Sequence, residues 1–81
     1  MRLTDLPRNR LATIASVDWA GLTPAEARRL RELGFDEGVT VETLHSGPFG
    51  RDPIACRVGR MTIAIRRLQA QAVSVEAARA A

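Results

Sequence analysis

Apolar and polar residues alternate in several short stretches of the chain. Alternation of this kind predicts β-strands, because successive side chains of a strand point to opposite faces. The clearest case is residues 54–58 and 61–65, which are joined by Gly59 and Arg60 and predict a hairpin with a two-residue loop. The apolar positions expected to face inward in this hairpin are Ile54, Cys56, Val58, Met61, Ile63 and Ile65.

Five strands are predicted in all. The first covers Leu11–Val17, a run of β-branched and small residues that follows a turn signal at residues 7–9. The predicted strands are residues 11–17, 39–44, 54–58, 61–65 and 72–75. Residues 47–53 contain two glycines and two prolines and are predicted to be a loop. Short strands with a single helix favour a mainly β fold, a small SH3-like five-stranded barrel, because closing a sheet removes its exposed edges.

One short α-helix is predicted at about residues 24–33, between the first and second strands. Thr23 and Glu26 form a capping-box pattern at its start, with Pro24 at the first helical position. In such a box, the side chain of each residue bonds to the backbone N–H of the other. We therefore expect the helix to begin directly after Thr23.

The predicted helix ends at Gly34, where a residue with positive φ is favoured. Phe35 can then fold back onto Leu30 as the hydrophobic contact of a Schellman motif. Gly38 follows, and the second strand begins after it. Thr23, Gly34, Phe35 and Gly38 are therefore interpreted as structural residues.

The composition restricts the class of protein. The chain has 81 residues with one Cys and one His, so an internal disulfide and a zinc-finger site are both excluded. No apolar run reaches the roughly 18 residues of a membrane span, and the first residues contain no apolar signal-peptide core. We therefore expect a cytoplasmic protein with one domain at residues 1–76 and a frayed tail at residues 77–81.

The charge and the chemical groups exclude further classes. Twelve arginines against nine acidic residues give a net charge of +3, and the pI is about 11.0. A net charge of +3 is small for a surface that binds a phosphate backbone. Aromatic residues, on which bases stack, make up only 4% of the chain, so binding of nucleic acid is not expected. The sequence has neither a P-loop nor a nucleophile–base pair, and we expect that the protein is not an enzyme.

Motifs spread over most of the chain resemble those of one known family. They are Arg-Leu-Arg-Glu-Leu-Gly-Phe at residues 29–35, then Gly38, then residues 47–54 and residues 63–67. In this order they resemble FeoA, the small ferrous iron transport protein A of bacteria. Many members carry Gly where this chain has Asn9, and since Asn tolerates positive φ, we expect the turn to be kept.

The resemblance implies a cytoplasmic SH3-like module that docks on and regulates FeoB, the ferrous iron transporter whose cytosolic part binds GTP. Such a module does not itself span the membrane. The alternative is a regulatory or nucleic-acid-binding barrel, because the family also resembles the SH3-like domain of DtxR-type metal-dependent repressors. A weak homo-oligomer is compatible with both functions.

Two regions are candidates for binding the partner. In the predicted loop, Pro48, Phe49 and Arg51 place an aromatic side chain beside a cation, a composition typical of an interface anchor. Alternatively, Phe49 covers the mouth of the barrel. The second region is a helix face that is either a docking surface or simply solvated. Its residues are Arg28, Arg29 and Arg31.

No cofactor is required, and at most an adventitious divalent metal is expected. His45, Asp52 and Cys56 are metal ligands by type, but alternation places Cys56 in the core. Three groups also cannot close a tetrahedral structural site. His45 is therefore a metal candidate only at a contact between two chains, and is otherwise a solvated imidazole.

Overall fold

A computed structural model of the protein describes residues 1–49 and 52–77. Within these residues, the strands are β1 (Leu11–Val17), β2 (Thr40–Phe49), β3 (Asp52–Val58), β4 (Met61–Ile65) and β5 (Val73–Ala77), and the helices are α1 (Pro24–Glu32) and α2 (Arg67–Ala70). Single turns of 3-10 helix occur at Leu3–Asp5 and Trp19–Gly21. None of the helices in this part of the chain is long and apolar enough to cross a membrane.

The strands form one antiparallel sheet in the order β4-β3-β2-β1-β5. This confirms the predicted mainly β fold, with α1 between β1 and β2. Closure of the barrel is incomplete, because β4 and β5 do not pair in the described residues. The free edge of β5 meets the start of the chain instead: Val75 N–H donates to the Met1 carbonyl at 2.7 Å, and Arg2 forms a bridge with Ser74. The start of the chain thus covers the edge of β5, which pairing with β4 would cover in a closed barrel.

A single core collects buried apolar residues from all the strands and both α-helices. The predicted inward positions Ile54, Cys56 and Val58 are confirmed, each being less than 5% exposed. On β4, Ile65 is buried but Met61 is 48% exposed, so the expected inward position of Met61 is wrong. The reason is its place at the end of an edge strand, directly after the hairpin loop, where β4 has β3 as its one neighbouring strand among the described residues.

Several boundaries differ from the expected ones. Strand β2 continues to Phe49 because its end pairs with β3, so most of the predicted loop at residues 47–53 is strand, and residues 50–51 lie outside the described part. The short helix α2 follows β4, where the sequence predicted no helix, and its first N–H donates to the Asp52 carboxylate at 2.9 Å. Of the predicted tail at residues 77–81, only Ala77 lies within the described residues, as the end of β5.

Helix α1 begins as predicted. The Thr23 N–H donates to Glu26 Oε1 at 2.9 Å, and the Glu26 N–H donates to Thr23 Oγ1 at 3.2 Å. Pro24 occupies the first turn, where its missing N–H costs nothing. The capping box is therefore complete.

The end of α1 is also the predicted Schellman motif. Gly34 has a φ of 93°, and the Phe35 N–H donates to the Leu30 carbonyl at 3.0 Å. Both Phe35 and Leu30 are fully buried, so the turn anchors the helix in the core. Asn9 has the positive φ expected of it, at 62°, and Gly38 has one of 85°.

Replacing Gly34 by Val should destabilise the fold through the backbone. A Cβ at this position would have Val58 Cγ1 as its neighbour at 3.9 Å, so space is available and the cost is the positive φ. We expect Gly34→Val to lower the free energy of unfolding by about 1–3 kcal/mol. Thermal unfolding should show a decrease in Tm of about 4–8 °C per kcal/mol. Arg29→Ala, an exposed change on the same helix, is the control, and equal Tm values for the two variants would contradict the prediction.

Candidate docking surface

Helix α1 presents its arginines to solvent. Arg28, Arg29 and Arg31 are exposed, whereas Leu30 between them is fully buried. None of the three arginines has an ion-pair partner within residues 1–49 and 52–77. All three arginines are thus exposed, and Arg28 and Arg31, three residues apart, lie on the same side of the helix and line one groove.

Glu26 does not neutralise this group, because its carboxylate caps the helix. The hydrogen bond from the Thr23 backbone N–H, with a smaller contribution from the Thr23 side chain, holds the pKa of Glu26 below its ordinary value. The charge of Glu26 is therefore committed to the start of α1. Glu32, the other acidic residue of α1, makes no ion pair with the arginines in the described residues.

Arg31 is held in place by an aromatic ring. Its Cζ lies 4.5 Å from the centroid of the Trp19 ring, which is a cation–π geometry. Trp19 is half-buried and packs against the core, so the ring has a supported position. The guanidinium of Arg31 is consequently better ordered than that of an arginine surrounded by water alone.

Arg31 lines two open grooves. The lining of one also includes Arg28 and Glu32, and that of the other includes Trp19 and Asp36. Each groove thus has one carboxylate-bearing residue beside the shared Arg31. We call Trp19, Arg28, Arg31 and these two grooves the α1 surface.

The other predicted region is only partly described. Pro48 and Phe49 belong to the end of β2, but their side chains, and Arg51 as a whole, lie outside the described part of the structure. Asp52, next to them, is occupied by other partners: Arg66 Nη2 is 3.1 Å from its Oδ2, and the Arg67 N–H donates to its Oδ1. The role of Phe49 and Arg51 in binding stays a prediction.

The candidate metal ligands are not brought together. His45 is exposed on β2, opposite Ala55 of β3, whereas Cys56 is buried. Burial raises the pKa of the Cys56 thiol to about 11, so the thiolate that a metal needs is disfavoured. Within the described residues, no group of three His, Cys, Asp or Glu side chains is placed to hold a metal ion. A site at His45 between two chains stays a prediction.

Sequence reasoning identified the arginines of this surface but missed the contact that orders one of them. Trp19 and Arg31 belong to different elements, and no local pattern links them. The sequence signal that was available is the aromatic residue just before the helix, which favours packing near α1 but does not indicate which side chain it meets. The two side chains meet because Trp19 and α1 both pack against the same core.

The fold and this surface define a small, mainly β module of SH3-like type that carries a basic helix. A model of the FeoA domain family matches residues 1–77. The FeoA protein of Chlorobium tepidum has a solution structure that matches with a TM-score of 0.82 and 32% identity, over 95% of this chain and 70% of that one. The chain belongs to the FeoA family and is thereby associated with ferrous iron transport.

Two further structures extend the comparison. FeoA of Stenotrophomonas maltophilia, solved as a zinc complex and described as a prokaryotic SH3 domain protein, is 39% identical with a TM-score of 0.79, over 94% of this chain and 89% of that one. A manganese-dependent transcriptional repressor matches with a TM-score of 0.83 but 19% identity, over 96% of this chain and 41% of that one, which shows the fold alone. No curated protein matches the chain.

The thiol of Cys56 should make the fold less stable at alkaline pH. The unfolded thiol ionises near its ordinary value of 9.0, whereas the folded thiol does so only at about 11. The free energy of unfolding should therefore be constant just below pH 9 and should fall between those two values, by up to about 3 kcal/mol. Few other groups titrate in this window, since the chain contains neither Tyr nor Lys.

Chemical denaturation at several pH values in this window tests the expectation. The control is Cys56→Ala, which should be less stable at every pH because of the cavity but should lack the alkaline decline. An identical decline in both proteins would show that the thiol is not its cause.

Proposed function

We propose that the protein is a non-enzymatic accessory module that docks on the cytosolic, GTP-binding part of the FeoB ferrous iron transporter and regulates iron uptake. The family assignment supports the transport process. The observation that carries the docking proposal is the set of exposed arginines on α1, which have no ion-pair partner in the described residues. A protein that docks there works in the cytoplasm and needs no cofactor for this role.

The α1 surface has the properties of a contact site for an acidic protein surface. Unpaired cations attract an acidic partner and raise the rate of association. Arg and Trp are also the residues most enriched among side chains that contribute strongly to binding. Arg31 and Trp19 supply both types in one stacked pair, and Arg31 lines two grooves. Arg28 and Arg29 act at its rim, where water and salt screen them.

The end of β2 is the second contact that we propose. Phe49 supplies an apolar anchor and Arg51 a cation, on a segment separate in the chain from α1. An anchor that is fully desolvated in a complex contributes more to affinity than an exposed arginine does. The two regions therefore make different contributions, with α1 setting mainly the rate and Phe49 mainly the lifetime of the complex.

Reversing the charge of Arg31 should weaken docking. We expect Arg31→Glu to lower the affinity for the isolated cytosolic part of FeoB at least about tenfold, because the cation is replaced by a charge that an acidic partner repels. Arg28→Ala should reduce mainly the association rate. Surface plasmon resonance at low and high salt, with and without GTP, measures both effects.

Arg10→Glu is the matched control. It makes the same charge change on an exposed residue that lines neither groove. Equal losses from Arg10→Glu and Arg31→Glu would mean that only the net charge matters and would remove the α1 surface from the proposal. Binding of labelled DNA by the wild type, abolished by Arg31→Glu without any binding to FeoB, would favour the nucleic-acid alternative instead.

Truncating Phe49 should impair function while the fold is retained. Loss of a buried aromatic anchor typically costs about 2 kcal/mol or more of binding free energy. We therefore expect Phe49→Ala to bind FeoB weakly and to fail in restoring ferrous iron uptake to a strain that lacks this protein. Its Tm is the control. Full uptake by a variant with an unchanged Tm would exclude the end of β2 from the mechanism.

A further inference from the structure

A cleft of about 400 Å³ opens beside the start of the chain, and no residue of α1 lines it. Its walls are formed by the segment from Leu3–Asp5 to Arg8, by the middle of β2, and by Arg67 at the start of α2. Leu6 and Ile54, both buried in the core, also line it. A volume of this size is suited to a small molecule.

Cationic groups outnumber acidic ones along this cleft. Arg8 and Arg67 line it together with His45, and Asp5 is the one carboxylate among the lining residues. Arg8 has no ion pair in the described part of the chain, whereas Arg67 already has an interaction of its own. Guanidinium groups bind oxyanions through paired, charge-assisted hydrogen bonds. The cleft thus favours an anion, and Arg8 is the main candidate to bind it.

Backbone hydrogen bonds hold both arginine-bearing segments in place. Asn9, with its φ of 62°, donates its N–H to the Thr43 carbonyl at 2.7 Å and so ties the turn after Arg8 to β2. At the other cationic wall, the Asp52 carboxylate accepts the Arg67 N–H at 2.9 Å. A site that is assembled in advance loses less conformational entropy when a ligand binds.

We propose that this cleft binds a small free oxyanion, of the phosphate or polycarboxylate class, through Arg8, Arg67 and His45. Asp5 opposes the ligand and limits its affinity. The cleft shares no residue with the α1 surface, so the proposal does not rest on docking at that surface. The carboxylate at the end of another protein has the same chemistry, and the experiment separates it from a free anion.

The test is a titration of the full chain with inorganic phosphate, and separately with citrate, in a chloride buffer and followed by the NMR shifts of backbone amides. We expect saturable shifts around Arg8 and Thr43. Arg8→Ala should lower the affinity at least about tenfold, the loss expected for one charge-assisted hydrogen bond. Asp5→Asn should raise it by about threefold, since it removes a repelling charge.

Arg10→Ala is the control, because Arg10 is also an exposed arginine of the same segment but does not line the cleft. It should change the affinity by less than about twofold, as expected for a screened surface charge. Shifts that do not saturate, or equal losses from Arg8→Ala and Arg10→Ala, would overturn the proposal. Saturation by a peptide with a free terminal carboxylate, but not by phosphate or citrate, would also overturn it and assign the cleft to a protein terminus. Because Arg8 and Asp5 are both exposed, each variant tests the proposal separately if the other fails to fold.

Discussion

The left-handed turn at Gly34 determines how α1 lies on the protein, and the basic surface depends on it. Leu30 before the turn and Phe35 after it both enter the core, and the hydrogen bond between their backbones joins them. With Leu30 buried, the helical period directs its arginine neighbours outward. Trp19, packed at the edge of the same core, then meets Arg31. A single backbone conformation thus couples core packing to the position of the exposed charges.

A second constraint on the fold comes from the first residues of the chain, which lie against the edge strand β5. They bridge the edge of β5, where closure of the sheet would have required β4. To do so, Leu3 and Leu6 pack into the core, and the chain between them must then turn back toward β1. The segment that covers the open edge also becomes one wall of the cleft. Incomplete closure of the sheet and the presence of a cleft are therefore two consequences of the same arrangement.

The features that the sequence predicted well are those encoded within a few residues. The capping box at Thr23, the turn at Gly34 and the inward positions of β3 all depend on neighbours in the chain, and all are confirmed. The exposure of Met61 and the length of β2 depend instead on which strand lies alongside. Helix α2 is too short to show a helical period.

The same distinction between local and long-range features applies to the candidate surface. Its arginines were predicted because they follow each other on one helix, and an exposed helix face is visible from the helical period. The stack with Trp19 and the cleft residues were not predicted, because they join segments far apart in the chain. Arg8 and His45 can both bind ligands, but their spacing in the sequence matches no motif that would predict their proximity in the fold.

The ion pairs of the arginines contribute little to holding this fold together, and Arg28 and Arg31 form none among the described residues. Arg57 and Arg66 pair with acidic residues on the surface, in contacts that are each worth less than about 1 kcal/mol. Burial of apolar side chains, including Leu30 and Phe35, supplies the stability instead. Changing Arg28 or Arg31 therefore affects what the protein attracts far more than how it folds. A chain whose stability does not depend on its cations can carry two separate basic regions, one on α1 and one in the cleft. Substitutions in the two regions should have additive effects on the free energy of unfolding.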